Sequence, residues 1–408
     1  MRISTSMMFD TGTQNMLQLQ TSLYKLQNQM STGKRILTPS DDPVAAAQAL
    51  AISQRQSVNA QFIDNQGNAA SQLTSLESSL RSSSDLISNV MVRAAEADNP
   101  NISDSTRQAI AFDINENFKQ LLGLANSTDG LGQHVFAGFR SETEPFAVAG
   151  SPGNRTTTYQ GDDGNRQLQV DTGRLMDVSE SGSDVFMRIP QGNGQFSFSA
   201  GAANTGTGVI GASSVITGYD DSVYKLTFTG PGVYTLDRTT NGIAALPVAG
   251  IAYTNGSDIV LGSGYQEIKI KISGTPVAGD TFTVQPASNQ DIFTTLDNMI
   301  KALNANVSGS DANKAAFKNQ MTEIRQNLGQ AFTHLLTAQT SIGARRLELE
   351  NLTSSGSDRD LQYQTDLKNL QDLDYTKAIS DMANQKMVLE AAQLSFKQVS
   401  QMSLFNFL

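Results

Sequence analysis

The sequence predicts a mainly α protein carrying an all-β insert, and three observations support this. The first 38 and the last 122 residues contain no proline. Between Phe317 and Leu352 the positions Phe317, Met321, Ile324, Leu328, Ala331, Leu335, Ala338, Ile342, Arg345, Leu349 and Leu352 step alternately by four and three, and only Arg345 is polar; that period is a coiled-coil seam. Seven of ten prolines and 23 of 33 glycines fall between residues 138 and 290, so the turns belong to the middle of the chain.

The first element is a helix in which Met16, Leu19, Leu23, Leu26 and Met30 keep the same step. A helix of this kind cannot bury its stripe alone. The last helix has a matching seam, Ala378, Met382, Leu389, Ala392, Phe396 and Val399, with Gln385 as a polar exception of the kind that often fixes register. The two ends are therefore partners of each other or of neighbouring copies, and these eleven apolar residues form the candidate assembly interface.

After Met30 the seam stops. Gly33 interrupts it, Pro39 is excluded from a helix interior, and Pro43 behind Asp41 and Asp42 makes a helix start with favourable N-terminal charge. Residues 33 to 42 read as a break between helices, and Gly33, Pro39, Asp41, Asp42 and Pro43 are the candidate interdomain joint.

The next helix runs from about Val44 to Asp98, with a stripe from Phe62 through Leu73, Leu76, Leu80, Ile87 and Val90 to Ala97, and it stops before Pro100. At ~1.5 Å per residue it is roughly 80 Å long. Ser105 to Asn126 forms another helix. In the insert, Tyr224, Leu226 and Phe228 alternate, Gly230-Pro231-Gly232 turns, and Val233 to Leu236 resumes, which is a hairpin. Ile268, Ile270 and Ile272 alternate with lysines, and Leu168 and Val170 follow an Asp163-Gly164 turn, so further half-buried strands are expected.

On the C-terminal side a short helix spans Ile292 to Leu303. The long helix passes Leu352, breaks near Ser354-Ser355-Gly356, and gives way to the last helix. The expected domains are thus 1–40 with 365–408, a helical bundle of 41–139 with 291–364, and a β-rich domain of 140–290.

Composition narrows the function. A net charge of −10 without clustered Lys and Arg argues against nucleic acid. The absence of cysteine excludes disulfides, thiolate metal sites and a cysteine nucleophile, and it suits a chain that crosses a narrow channel unfolded. Trp is absent and aromatics are only 7%, so the core is expected to be aliphatic. No apolar run approaches the ~18 residues of a membrane span, and the start, with one Arg and the cluster Met7-Met8-Phe9, lacks the apolar stretch of a cleaved signal.

Chemical motifs do not assemble into a site. Gly206-Thr-Gly208-Val-Ile-Gly211 matches the dinucleotide fingerprint by letter but has no strand before it and no amphipathic helix after it. Ser22-Leu-Tyr-Lys25 lies on a packing helix and lacks its companion motifs. His134 and His334 have no spaced acidic or second His ligand, and Asp162-Asp163-Gly164 lacks the spacing of a calcium loop. No enzyme, cofactor or metal is expected.

Several stretches together resemble one family. Met30-Ser-Thr-Gly33-Lys-Arg-Ile-Leu-Thr-Pro39-Ser-Asp41-Asp42-Pro43 is similar to the Leu-Ser-Ser-Gly-x-Arg-Ile-x-x-Ala-x-Asp-Asp motif of flagellins. With Thr38-Pro39 before the Asp pair and Pro43 after it, this version resembles the hook-associated protein 3 branch of the bacterial flagellin family. The start Met1-Arg2-Ile3-Ser4-Thr5, Gly132-Gln-His-Val135-Phe136-Ala-Gly138, Tyr159-Gln-Gly161-Asp162, Ile342-Gly343-Ala-Arg345 and Leu373-Asp374-Tyr375 agree.

The resemblance implies a flagellin-like fold, with terminal helices paired as a coiled coil in the inner core of an axial tube and the β domain outward. It implies a homo-oligomeric ring or helical layer between hook-associated protein 1 and flagellin. It also implies export through the flagellar type III apparatus without a cleaved signal, with a cytoplasmic export chaperone masking the C-terminal seam. No nucleic acid or membrane partner is expected. The alternative within the family is a flagellin filament subunit, against which stand the start, the Pro39–Pro43 version of the joint and the end Ser403-Leu-Phe405-Asn-Phe407-Leu408.

Overall fold

The structure, a computed structural model, describes residues 5–263 and 266–401. Met1 to Ser4 and Ser403 to Leu408, which entered the resemblance, lie outside the described residues, as does the side chain of Val399.

Helices occupy both ends and strands the middle. The helices are α1 (Thr5–Thr32), α2 (Pro43–Ala97), α3 (Asp104–Ala125), α4 (Ile292–Leu303), α5 (Asp311–Gln371) and α6 (Tyr375–Gln401). Among the described residues all strands lie between Phe146 and Gln290. The chain forms two compact bodies, Met1–Asp64 with Asn351–Leu408, and Asn65–Glu350.

In the larger body the two long stripes are sealed. Ala69, Leu73, Leu76, Leu80, Ile87, Val90 and Ala94 of α2 are buried, and so are Met321, Ile324, Leu328, Leu335, Ile342 and Leu349 of α5. Ion pairs Arg346–Glu77 and Arg325–Asp98 tie the helices at their flanks. Arg345, the polar member of the α5 seam, reaches Glu180 Oε1 at 2.7 Å. Helix starts are capped as their sequences dictate: Ser103 accepts from the Thr106 amide for α3, and Asp291 from the Thr294 amide for α4.

The insert holds two main antiparallel sheets. One orders its strands as Ile243–Ala244, Val233–Thr240, Val223–Gly230, Thr281–Pro286 and Phe196–Ala200, with Val248–Ala252 also paired to Val233–Thr240. The other orders Asp258–Ser263, Gln266–Ser273 and Val209–Val215. The hairpin expected around Gly230-Pro231-Gly232 is present, with Leu226 opposite Leu236. Ile268, Ile270 and Ile272 face the same core as Tyr224, Leu226 and Phe228. Period two is plain in Val223–Gly230 and Thr281–Pro286, where Tyr224, Leu226, Phe228, Phe282 and Val284 are buried and their neighbours are not, whereas Phe196–Ala200 buries Phe196, Ser197 and Phe198 in a row and Ile243–Ala244 is exposed at both residues. Two asparagines of α5 hold this region through its backbone. Asn319 accepts from the Ile210 amide and donates to Gly208 O, and Asn327 accepts from the Gly192 amide.

Two expectations are corrected. The core is not aliphatic throughout: Phe118 of α3, Phe293 of α4, and Phe136, Phe146, Phe186, Phe196, Phe228, Phe282 and Tyr224 are among the largest fully buried side chains. A low overall aromatic fraction says nothing about where the rings are, and Phe146, Phe186 and Phe293 meet one another at centroid distances of 5.3 to 6.1 Å. The C-terminal helix does not break at Ser354-Ser355-Gly356. It continues to Gln371, and Gly356 is a point of close approach: a Cβ there would stand 3.1 Å from Ile63, while Asn59 Nδ2 donates to the Gly356 carbonyl at 2.8 Å.

Candidate assembly surface and interhelix joint

Helix α1 is rich in Thr, Gln and Asn, and several of its hydroxyls satisfy themselves on the preceding turn, as Thr11 does on Met7 O at 2.7 Å and Thr21 on Leu17 O at 2.9 Å. What holds α1 in place is α6. The two run antiparallel: near one end the Phe9 and Phe396 rings lie 4.8 Å apart, and near the other Tyr375 Oη donates to Met30 O at 3.1 Å. Gly12 leaves the space that the Phe396 ring fills, since a Cβ there would come within 2.8 Å of it.

The sequence-derived seam residues fall on this pair. Met16, Leu19, Leu23, Leu26, Met30, Met382, Leu389, Ala392 and Phe396 are half-buried, and Ala378 is buried. Gln385 turns its Oε1 into the seam, where it is buried without a hydrogen-bond partner. The outer faces stay apolar and open at Leu17, Tyr24, Ile379, Met387, Val388 and Leu394. Two helices alone do not enclose this much apolar surface.

Between α1 and α2 the chain turns through residues 33 to 42. Gly33 takes φ +71°, the left-handed geometry that ends a helix. Its carbonyl accepts from the Leu373 amide at 2.9 Å, and the Arg35 amide donates to Gln371 O at 2.7 Å, so this break sits directly on the break between α5 and α6 at 372–374. The Arg35 guanidinium adds bonds to Leu370 O and Asp42.

Pro43 is the first residue of α2, and Asp42 caps that helix by accepting from the Ala45 amide at 3.0 Å. Asp41 organises the turn: its carboxylate accepts from the Leu37 and Thr38 amides at 3.0 and 2.9 Å and pairs with Lys25 Nζ at 2.7 Å. The Lys25 bond and the two amide donors hold the Asp41 carboxyl far below the ordinary carboxylate range. The Ala45 amide does the same, less strongly, for Asp42. Pro39 lies inside this turn.

Sequence reasoning missed several partners. Asp374 caps α6 by accepting from the Thr376 and Lys377 amides at 3.0 and 3.2 Å, and an acidic residue four positions before the first residue of a helical stripe was the available signal. Gly12 and Asn59 had no such signal, because close approach and a bond to a distant carbonyl depend on the partner helix. The histidines and the Asp162-Asp163-Gly164 turn serve the fold: His134 Nδ1 bonds Asn126 O, His334 Nε2 bonds the distant Asp184 O, and Asp162 accepts from the Phe139 and Gly164 amides. Among the described residues no cluster of His, Asp and Glu could hold a metal ion, and no helix is long and apolar enough to cross a membrane.

Comparison with known proteins gives a consistent picture. Residues 3–141 match the model of the bacterial flagellin N-terminal helical region. The chain is 28% identical over 406 residues to flagellar hook-associated protein 3 of Salmonella typhimurium and to that of Escherichia coli, covering 100% of this chain and 99% of each relative. Among solved structures, flagellar hook-associated protein 3 from Legionella pneumophila superposes with a TM-score of 0.72 at 30% identity, over 78% of this chain and 98% of that one. FlgL from Xanthomonas campestris gives 0.70 at 29% identity, over 78% and 99%.

Proposed function

The chain belongs to the flagellar hook-associated protein 3 family, and from that membership we propose that it is a structural subunit of the junction between the flagellar hook and the filament. The observation that carries the mechanism is the antiparallel α1–α6 pair, whose seam is half-buried and whose outer faces are open and apolar. Such a pair is completed by neighbouring helices, so the activity is packing. Relatives named as hook-associated protein 3, in place of flagellin, favour the junction over the filament reading.

In this reading 1–40 with 365–408 pair as a coiled coil in the inner core. Residues 41–139 with 291–364 make the lateral helical layer, and 140–290 faces outward. Copies associate in a ring or helical layer, with hook-associated protein 1 on the hook side and flagellin on the other. The residues 33–43 serve as the joint between inner and outer layers. A chaperone covers the α6 seam before export through the type III apparatus. The relatives are structural components of the flagellum, and the chain is read as non-enzymatic.

The test is electron microscopy of a strain lacking the chain. Hooks should form and flagellin should be shed into the medium. Normal filaments on such hooks would sink the proposal.

A further inference from the structure

Asparagine followed by glycine is a chemically weak pair, because the glycine nitrogen, with no Cβ beside it, can attack the side-chain amide of the residue before it. The chain holds three such pairs, Asn193-Gly194, Asn241-Gly242 and Asn255-Gly256. Reaction needs two groups to be free, the asparagine side chain and the glycine amide, and the fold engages both at two of the three pairs. Asn193 Oδ1 accepts from the Gln195 and Phe196 amides at 3.0 and 2.9 Å, and the Gly194 amide donates to Gln191 O at 3.0 Å. Asn255 Oδ1 accepts from the Gly274 amide at 2.8 Å, and the Gly256 amide donates to Ile272 O at 2.9 Å.

The third pair is different. Among the described residues neither the Asn241 side chain nor the Gly242 amide has a hydrogen-bond partner, and both residues are exposed. They form the two-residue turn between Val233–Thr240 and Ile243–Ala244, with φ +51° at Asn241 and +78° at Gly242, the left-handed pair that Asn-Gly suits. The turn is held only by the ladder of Ile243 and Ala244 on Thr240 and Thr239 and by the Ala245 amide on Arg238 O at 2.8 Å. Ile243 is 76% exposed and Ala244 is exposed too, so the turn opens without disturbing any core.

We propose that Asn241 is a site of spontaneous modification, at which the chain converts its own asparagine to isoaspartate and aspartate. The Gly242 nitrogen loses its proton to solvent and bonds to Asn241 Cγ, the bond from Cγ to the side-chain nitrogen breaks, and ammonia leaves with a proton from solvent. Water then opens the five-membered succinimide ring at one of its two carbonyls. Cleavage at the main-chain carbonyl leaves the backbone running through the side chain as isoaspartate, and cleavage at Cγ leaves aspartate. The sum is one water consumed and one ammonia released, with no oxidant, reductant or catalyst required. Either product places a carboxylate within residues 239 to 257, nineteen consecutive residues without a charge. Isoaspartate also lengthens the backbone inside a turn that has room for two ordinary residues. The site follows from the hairpin alone and holds whatever the chain assembles with.

The test ages the purified full-length chain in mildly alkaline water enriched in the heavy oxygen isotope, digests it with an acid protease in ordinary water, and reads the peptides by mass spectrometry with fragmentation that separates isoaspartate from aspartate. Heavy oxygen should enter position 241 at least about tenfold faster than position 193 or 255, where side-chain and glycine hydrogen bonds must open first. Asn241→Gln, which would have to close a six-membered ring, should leave position 241 unlabelled. In denaturant the three pairs should react at similar rates, which assigns the selection to the fold. Labelling of Asn193 or Asn255 that keeps pace with Asn241 in the folded chain would overturn the proposal, as would label at Asn241 that appears only in denaturant.

Discussion

The Phe396 ring stands over the backbone of Gly12, at a spacing where any Cβ would collide at 2.8 Å. With the Phe9 ring 4.8 Å away, Phe396 is a knob that fits one place on α1, so this contact fixes how far α6 slides along α1. Replacing Gly12 by Leu should force the helices apart or out of register, at a cost of roughly 1–3 kcal/mol for overpacking. Filament retention under shear should fall, while the thermal melting of the Asn65–Glu350 body should not move. Unchanged retention would remove this pair from the assembly surface.

Two leucines at similar seam positions should behave differently. Leu23 is half-buried on α1, whereas Leu76 is sealed inside the larger body at 1% exposure. Leu76→Ala should lower stability by about 2–5 kcal/mol, the usual cost of a truncated buried Leu, seen as a lower melting temperature. Leu23→Asp should leave that melting transition in place and abolish assembly, as should Leu389→Asp. Motile cells with normal filaments from either Asp variant would refute the role of the terminal seam.

Acid should reach the joint late. The Asp41 carboxyl is depressed by Lys25 and the Thr38 and Leu37 amides, so its ionised form stabilises the turn at every pH above the ordinary Asp range. That contribution is lost only as pH falls below about 4, toward the lower folded value. Asp41→Asn removes the ion pair at all pH values. Hydrogen exchange at the Leu37 and Thr38 amides should speed up in this variant at neutral pH, and equal protection would show that the prolines hold the turn without Asp41.

Glu323 behaves in the opposite sense. Burial raises its carboxyl above the ordinary range, so the folded state disfavours the charge. The stability lost by ionisation is fully restored below the unfolded Glu value near 4.3 and is missing once pH rises through the folded value. Glu323→Gln should therefore raise the melting temperature at pH 7 and leave it unchanged below pH 4. A lower melting temperature at pH 7 would mean that the carboxylate has a stabilising partner.

The sequence by itself determined the helical ends, the β-rich middle, the long stripes of α2 and α5 and the turn opened by Gly33 and closed by Asp42-Pro43. Each of these is written in local quantities: periodicity, proline and glycine placement, and capping residues. Tertiary structure decided what local pattern cannot encode. Ser354-Ser355-Gly356 has the composition of a break yet stays helical, and there Gly356 lets Ile63 approach while its carbonyl receives Asn59. The break lies instead at 372–374, where Leu373 and Gln371 bond to Gly33 and Arg35. Likewise, a modest number of aromatic residues became an aromatic core because the fold brings Phe146 and Phe186 of the insert against Phe293 of α4. The last carbonyl of α5, that of Gln371, finds its donor in another segment, and a core takes its character from what meets there; both are properties of contacts between segments, and no window along the chain contains them.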